Sequence, residues 1–198
     1  MRLPVRLAPA LATALAVFLA PTSGVAQDAP QPAGTPEHRA AIDRLDALDG
    51  EWAGPAWSQS PAGRSDMTQT ERVGDLLGGA IKVVEGRAYD DAGATVFNAF
   101  AVISFDPRTG KYTFSTVVGG EHNDFPLEVR EDGFVWERPA GPNAVVRFTA
   151  VVKDGTWHEV GEYIAAGQPP RRIVELNLKR VGDSAWPGAG AVDPAPGR

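Results

Sequence analysis

Turn signals interrupt this chain roughly every 8 to 14 residues, and that spacing leaves room for strands and little else. The signals are "SPAGRSD", "LLGG", "YDDAG", "DPRTGK", "GGEHND", "REDG", "PAGPN", "KDG" and "AAGQPP". Between them lie segments rich in Val, Ile, Phe, Tyr, Trp and Thr, such as "TVFNAFAVISF", "KYTFSTVV", "AVVRFTAVV", "TWHEVGEYI" and "RRIVELNLKRV". With "EWAGPAWS" and "DMTQTERVGDLL" at the start, the segments predict about ten strands. Nothing alternates strand with helix, which argues against a parallel α/β sheet. Connections this short require antiparallel neighbours. The expectation is an all-β, antiparallel fold, either a sandwich or a closed up-and-down barrel whose closure removes exposed edges.

Alternation assigns faces. Val174, Leu176 and Leu178 share one face against Glu175, Asn177 and Lys179. Val146, Phe148, Ala150 and Val152 oppose Arg147, Thr149 and Lys153, and Phe125, Leu127 and Val129 oppose Glu128 and Arg130. Tyr112, Phe114 and Thr116 oppose Lys111, Thr113 and Ser115. "TVFNAFAVISF" is apolar on both faces, and the N-terminal helix is a candidate cover for its outside. "DGTWHEVGEY" resists assignment. Trp157, Glu159, Gly161 and Tyr163 share one face, while His158, Val160, Glu162 and Ile164 share the other. A solidly filled barrel admits neither glutamate, because an unpaired buried carboxylate is costly. A partly wet cavity admits Glu159 beside Trp157 and Tyr163, and ten strands make a barrel wide enough for one.

The ends differ from the middle. Arg2 and Arg6 precede an apolar run from Leu7 to Ala20, and small residues Gly24 and Ala26 precede Gln27. This predicts a signal peptide over 1–26 and an exported protein, periplasmic or extracellular. The run is short for a bilayer span and Pro9 interrupts its start, so stable membrane insertion is not expected. A flexible linker follows over 27–36. Ala41, Ile42, Leu45 and Leu48 then recur at helical spacing, predicting a short helix from Glu37 to Leu48. The barrel domain spans 37–181, and 182–198 is a low-complexity tail that is free or pinned at Trp186. Removing Arg2 and Arg6 leaves 17 of the 19 basic residues against 25 acidic ones, a formal charge of −8. That sign gives no general attraction for nucleic acid or anionic lipid. With no cysteine, disulfides and thiolate chemistry are excluded, and a packed core must supply stability.

Several of these stretches resemble a known group. "LDALDGEWAGPAW", with Gly50, Trp52, Gly54 and Trp57, resembles the opening of lipocalin-like (calycin) barrels. "DFPLEVREDGFVWERPAGP" and "DGTWHEVGEYIAAGQPPRRIVELNLKRV" resemble a bacterial family of uncharacterised, often exported, lipocalin-like proteins. The matching positions are Trp157, Glu159 and Gly161, then Leu178, Arg180 and Val181. The resemblance spans Leu45 to Val181 and implies an up-and-down lipocalin-like barrel with a short N-terminal helix. Calycins bind small apolar molecules, fatty acids or haem, and a few are isomerases or cyclases. Fold alone licenses none of these activities.

The chemistry-bearing residues are sparse. His158–Glu159 lacks the second histidine of a zinc helix motif, and His38 and His122 are isolated, so no metal site is expected. His122, in "VVGGEHNDFP", reads as a polar turn residue rather than a haem ligand, and no cofactor is expected. No serine lies in a nucleophile elbow. Glycine pairs close strands rather than open phosphate loops, and no basic stripe runs with the aromatics. Trp52 and Trp57 are expected to plug the closed end. The leading expectation is a hydrophobic or amphipathic small-molecule partner. Its site would draw on Phe97, Asn98, Tyr112, Phe114, Trp136, Trp157, Glu159 and Tyr163, with no catalytic set. The alternatives are an isomerase or cyclase-like enzyme using Glu159 or Glu71 as general base, and a structural or protein-interaction domain. Oligomeric state is left open.

Overall fold

A computed structural model describes residues 34–188. The expected leader, most of the linker and the end of the tail lie outside the described residues. Ten strands follow one short helical segment. They are β1 Gly50–Ser60, β2 Gly63–Leu76, β3 Ile81–Tyr89, β4 Thr95–Asp106, β5 Lys111–Val118, β6 Glu121–Arg130, β7 Gly133–Pro139, β8 Ala144–Lys153, β9 Thr156–Ala165 and β10 Arg171–Gly182. Each strand pairs antiparallel with the next, and β1 pairs with β10, closing an up-and-down barrel. Every strand is therefore an interior one, and no edge is exposed.

Turn chemistry sets the register. Asp154 and Gly155 both have positive φ, 51° and 71°, the geometry of a two-residue hairpin whose twist matches its strands. Gly119 and Gly120, at φ 59° and 86°, form the same kind of link between β5 and β6. Strand β6 consequently begins at Glu121, so "EHND" is strand and not the loop its polarity predicts.

The N-terminal segment is helical over the expected span but in two pieces. Helix α1 covers Pro36–Ile42 and a 3-10 segment covers Asp43–Leu48. Thr35 caps α1, with its hydroxyl accepting from the His38 amide and the His38 ring accepting from the Thr35 amide. Pro36 fits the first turn because its missing N–H is not needed there.

The segment closes one end of the barrel instead of covering the outside of β4. Ile42, Leu45 and Leu48 share one core with Trp52, Val73, Ile103, Tyr112, Phe134, Trp157 and Leu178. Each of the three aliphatic burials is worth about 1.5–3 kcal/mol. Two hydrogen bonds fix the plug, from the Trp52 indole to the Leu48 carbonyl (2.7 Å) and from the Tyr112 hydroxyl to the Ala41 carbonyl (2.8 Å).

The other terminus reaches the outer apolar face of β4 at Phe100, which stays 40% exposed. Trp186 meets Phe100 edge-on at 6.3 Å, and Arg72 lies over its ring at 4.8 Å. The backbone of Trp186 also crowds Gly74, where a Cβ would sit 2.1 Å from its carbonyl oxygen.

Candidate functional site

Strand register sorts every side chain into inward or outward. Near the plugged end the inward residues are sealed, with Trp52 2% and Trp157 4% exposed, alongside Ile103, Phe134 and Leu178. Further from the plug this changes. Phe114, Phe125, Trp136, Phe148, Leu176 and Tyr163 all face inward by their pairings yet are only partly buried. At the far rim Phe97 is 41% and Val118 39% exposed. An inward side chain that keeps accessible surface borders space and not packed neighbours. The interior is thus sealed at the plugged end, while its far half, the cup, keeps accessible side-chain surface.

The cup wall is aromatic. Trp136 stacks on Phe148 (4.3 Å between centroids, 8° between planes) and meets Phe114 at 5.1 Å and Phe125 at 5.2 Å. Gly161 makes the stack possible, since a Cβ there would fall 2.9 Å from the Phe148 ring. The floor is the edge-on pair Trp52 and Trp157, with centroids 5.8 Å apart.

Two carboxyls stand at this floor. Glu71 on β2 pairs with Trp52 and Gly86; Glu159 on β9 pairs with Ala150 and Leu176. Gly86 leaves the space that the Glu71 carboxyl fills, for a Cβ would lie 2.8 Å from its oxygen. The Gln69 amide donates to Glu71 at 2.6 Å, and the Trp157 indole donates to Glu159 at 3.1 Å. Burial pushes Glu71 up to about 8; the Gln69 hydrogen bond opposes this, and the charges of Glu159 and Glu85 add to it. Burial pushes Glu159 up to about 7 against the Trp157 and Trp136 indoles. Glu159 is 8% exposed, while Glu71 keeps more accessible surface although protein surrounds it. An acid facing a small interior space has both properties.

The expected site residues divide into three groups. Phe114, Trp136, Trp157, Glu159 and Tyr163 converge on the cup, and Phe97 lies at its rim. Tyr112 faces inward but below the floor, with its hydroxyl committed to the plug. Asn98 faces outward opposite Arg87 and is exposed, so it does not line the interior. Trp57 is not part of the plug. It lies on the outer face, where its indole and His158 and Arg172 all bond to Glu175 at 3.1 Å. The hydrogen bond from His158 leads in holding Glu175 down at about 2, aided by Trp57 and Arg172. His122 also faces outward, 3.3 Å from Asp124.

Three features were absent from the expected site. Phe125, Phe148 and Leu176 carry the right parity but no chemical signal. Gln69 shares the face of Glu71, and parity alone would have found it. The third is an acidic cluster of Asp46, Asp49 and Asp75 with metal-like convergence. Its centre is filled by the Lys82 ammonium at 3.0, 2.7 and 2.9 Å from the three carboxylates. Burial works against that charge, and the hydrogen bonds the ammonium donates to Asp49, Asp75 and Asp46 outweigh this, holding the Lys82 pKa up. The cluster is a latch between plug and barrel.

Two open depressions, about 460 and about 280 Å³, lie along β1–β3. Outward residues Ala53, Pro55, Asp66 and Thr68 border the first together with Ala56 and Met67, and Glu51, Thr70, Arg72, Glu85 and Arg87 border the second. The second shares Trp52 and Glu71 with the floor of the cup, and neither is lined by the Trp136–Phe148 wall. Among the described residues no helix is long and apolar enough to cross a membrane.

No protein-family model and no curated protein matches the chain. The crystal structure of Rv2717c from M. tuberculosis is similar to it, with a TM-score of 0.54 at 15% identity, covering 71% of this chain and 96% of that one. At that identity the likeness is one of fold.

Proposed function

We propose that this barrel, whose function is not established, binds a hydrophobic or amphipathic small molecule in its open half. The observation that carries this is the contrast along one interior. Inward residues at the plugged end are sealed, whereas the inward aromatics of the open half are only partly buried. Side chains of that kind, with a few polar groups at one end, are the usual composition of a ligand site. Phe114, Trp136, Phe148 and Tyr163 would supply apolar contact, and Glu159 with Glu71 would orient the ligand from the floor. Native mass spectrometry of gently purified protein tests this. The expected spectrum shows a stoichiometric adduct that is lost on denaturation. We also propose that residues 1–26 direct export, and the protein mass in the same spectrum would then begin at Gln27. A bare protein that also takes up no added apolar probe contradicts the binding proposal.

One observation favours a second reading. Burial raises both Glu71 and Glu159 at the floor, as a carboxyl that takes or gives a proton near neutral pH requires. Isomerase or cyclase-like chemistry would use one of the two as general base. Carbon-13 titration of both carboxyls with ordinary values near 4.5 would remove that support.

A further inference from the structure

Among the described residues, Glu71 and Glu159 receive hydrogen bonds only from uncharged donors. Glu71 accepts from the Gln69 amide and Glu159 from indoles. Among the described residues no lysine or arginine is a hydrogen-bond or ion-pair partner of either. The chain has cations nearby but spends them elsewhere. Lys82 is committed to Asp46, Asp49 and Asp75, Arg72 and Arg87 to Glu85 on the outer face, and Arg171 lies over the ring of Tyr163. Each carboxylate can accept about four hydrogen bonds, so both retain capacity toward the interior.

We infer that the occupant of the cup carries an amine, seated as its ammonium at Glu71 and Glu159, on an apolar body that lies against the Trp136–Phe148 wall. This inference rests on the proposal that the open half binds a small molecule. Three arguments select the amine. A buried carboxylate without a cation is costly, and one ammonium at the floor relieves two of them together. Its three N–H groups match acceptors that have no charged donor. The faces of Trp136, Phe148 and Phe114 attract a cation on its way to the floor and then hold its hydrocarbon. A ligand carboxylate would instead bring a third negative group to a floor where Glu159 and Glu85 already raise Glu71. A neutral alcohol would leave both acids protonated and gain only hydrocarbon burial.

The titratable groups acting on Glu71 are Glu159 and Glu85. Glu85 is bonded to Arg72 and Arg87 and stays ionised. Raising the pH therefore ionises the floor pair first, while an alkylamine remains charged. Amine affinity should rise across that interval, and alcohol affinity should not.

The test uses three probes of one chain length, decylamine, decanol and decanoate, titrated against the purified protein by tryptophan fluorescence and calorimetry. The expected result at about pH 8 is decylamine binding at least about tenfold tighter than decanol, with decanoate weakest. The double substitution Glu71→Gln with Glu159→Gln should bring that preference below about threefold, with urea unfolding reporting that the variant is folded. Decanol or decanoate binding as tightly as decylamine would overturn the amine assignment and leave the binding proposal standing. Preference surviving in the double variant would overturn the assignment to these glutamates. Failure of all three probes to bind would overturn both proposals. The wild-type comparison decides the matter even if the double variant does not fold.

Discussion

Glu71 fills the space left by Gly86 and accepts a 2.6 Å hydrogen bond from Gln69, yet in the folded chain it keeps its proton to about 8. In the unfolded chain it loses that proton near the ordinary value of 4.5. The folded state therefore binds more protons than the unfolded state between those two limits, and stability falls as pH rises through that window. Glu159 adds the same sign up to about 7. Glu175 has the opposite sign and a different window, stabilising above the ordinary value and losing this as pH falls toward about 2. Urea unfolding should give a free energy about 1–3 kcal/mol larger at about pH 5.5 than at about pH 8.5, with Glu71→Gln removing much of the difference. A flat profile would show that Glu71 is ordinarily solvated. Both glutamates were legible as candidates because strand parity puts Glu159 with Trp157 and Tyr163, and Glu71 with Gln69. Which face of "TWHEVGEY" turned inward was not legible, since each carries one glutamate and apolar bulk. Its neighbours Ala150 and Leu176 decide it. Asn98 failed for a related reason, as "TVFNAFAVISF" is apolar on both faces.

At the scale of the element, the plug is held by packing and by one buried cation. Lys82 is 0% exposed and bonds to Asp46 and Asp49 from the plug and to Asp75 from β2. Removing one partner of a buried ion cluster leaves its counter-charges uncompensated. Here the aspartates are partly solvated, which softens the loss. Lys82→Met should lower stability by about 1–3 kcal/mol, read by denaturant unfolding through the fluorescence of Trp52. A change within about 0.5 kcal/mol would mean that the latch contributes no more than an exposed ion pair. The helix was legible from its apolar spacing and its position. Its role as an end plug was not, because Tyr112 and Lys82, which engage it, lie far away in sequence. Nor was the contact of Trp186 with Phe100 on the outer face of β4.

At the scale of the whole molecule, ten short antiparallel strands with tight turns were legible from alternation and turn chemistry. Closure through β1 and β10 depends on non-local pairing and rested on the count of strands and the resemblance. Which end opens is set by where aromatic bulk, the plug and two small inward residues, Gly86 and Gly161, fall around the barrel, and no single segment encodes it. The central claim is that the open half of the interior admits a small molecule. Nitrogen-15 NMR of the five tryptophan indoles during titration with decylamine or decanol tests it most directly. Trp136 and Trp157 face the cup, while Trp57 and Trp186 lie on the outer surface. The account predicts that the Trp136 and Trp157 indole resonances shift in saturable fashion while Trp57 and Trp186 stay in place. Saturable shifts confined to Trp57 or Trp186, or an interior pair that never responds, would contradict it.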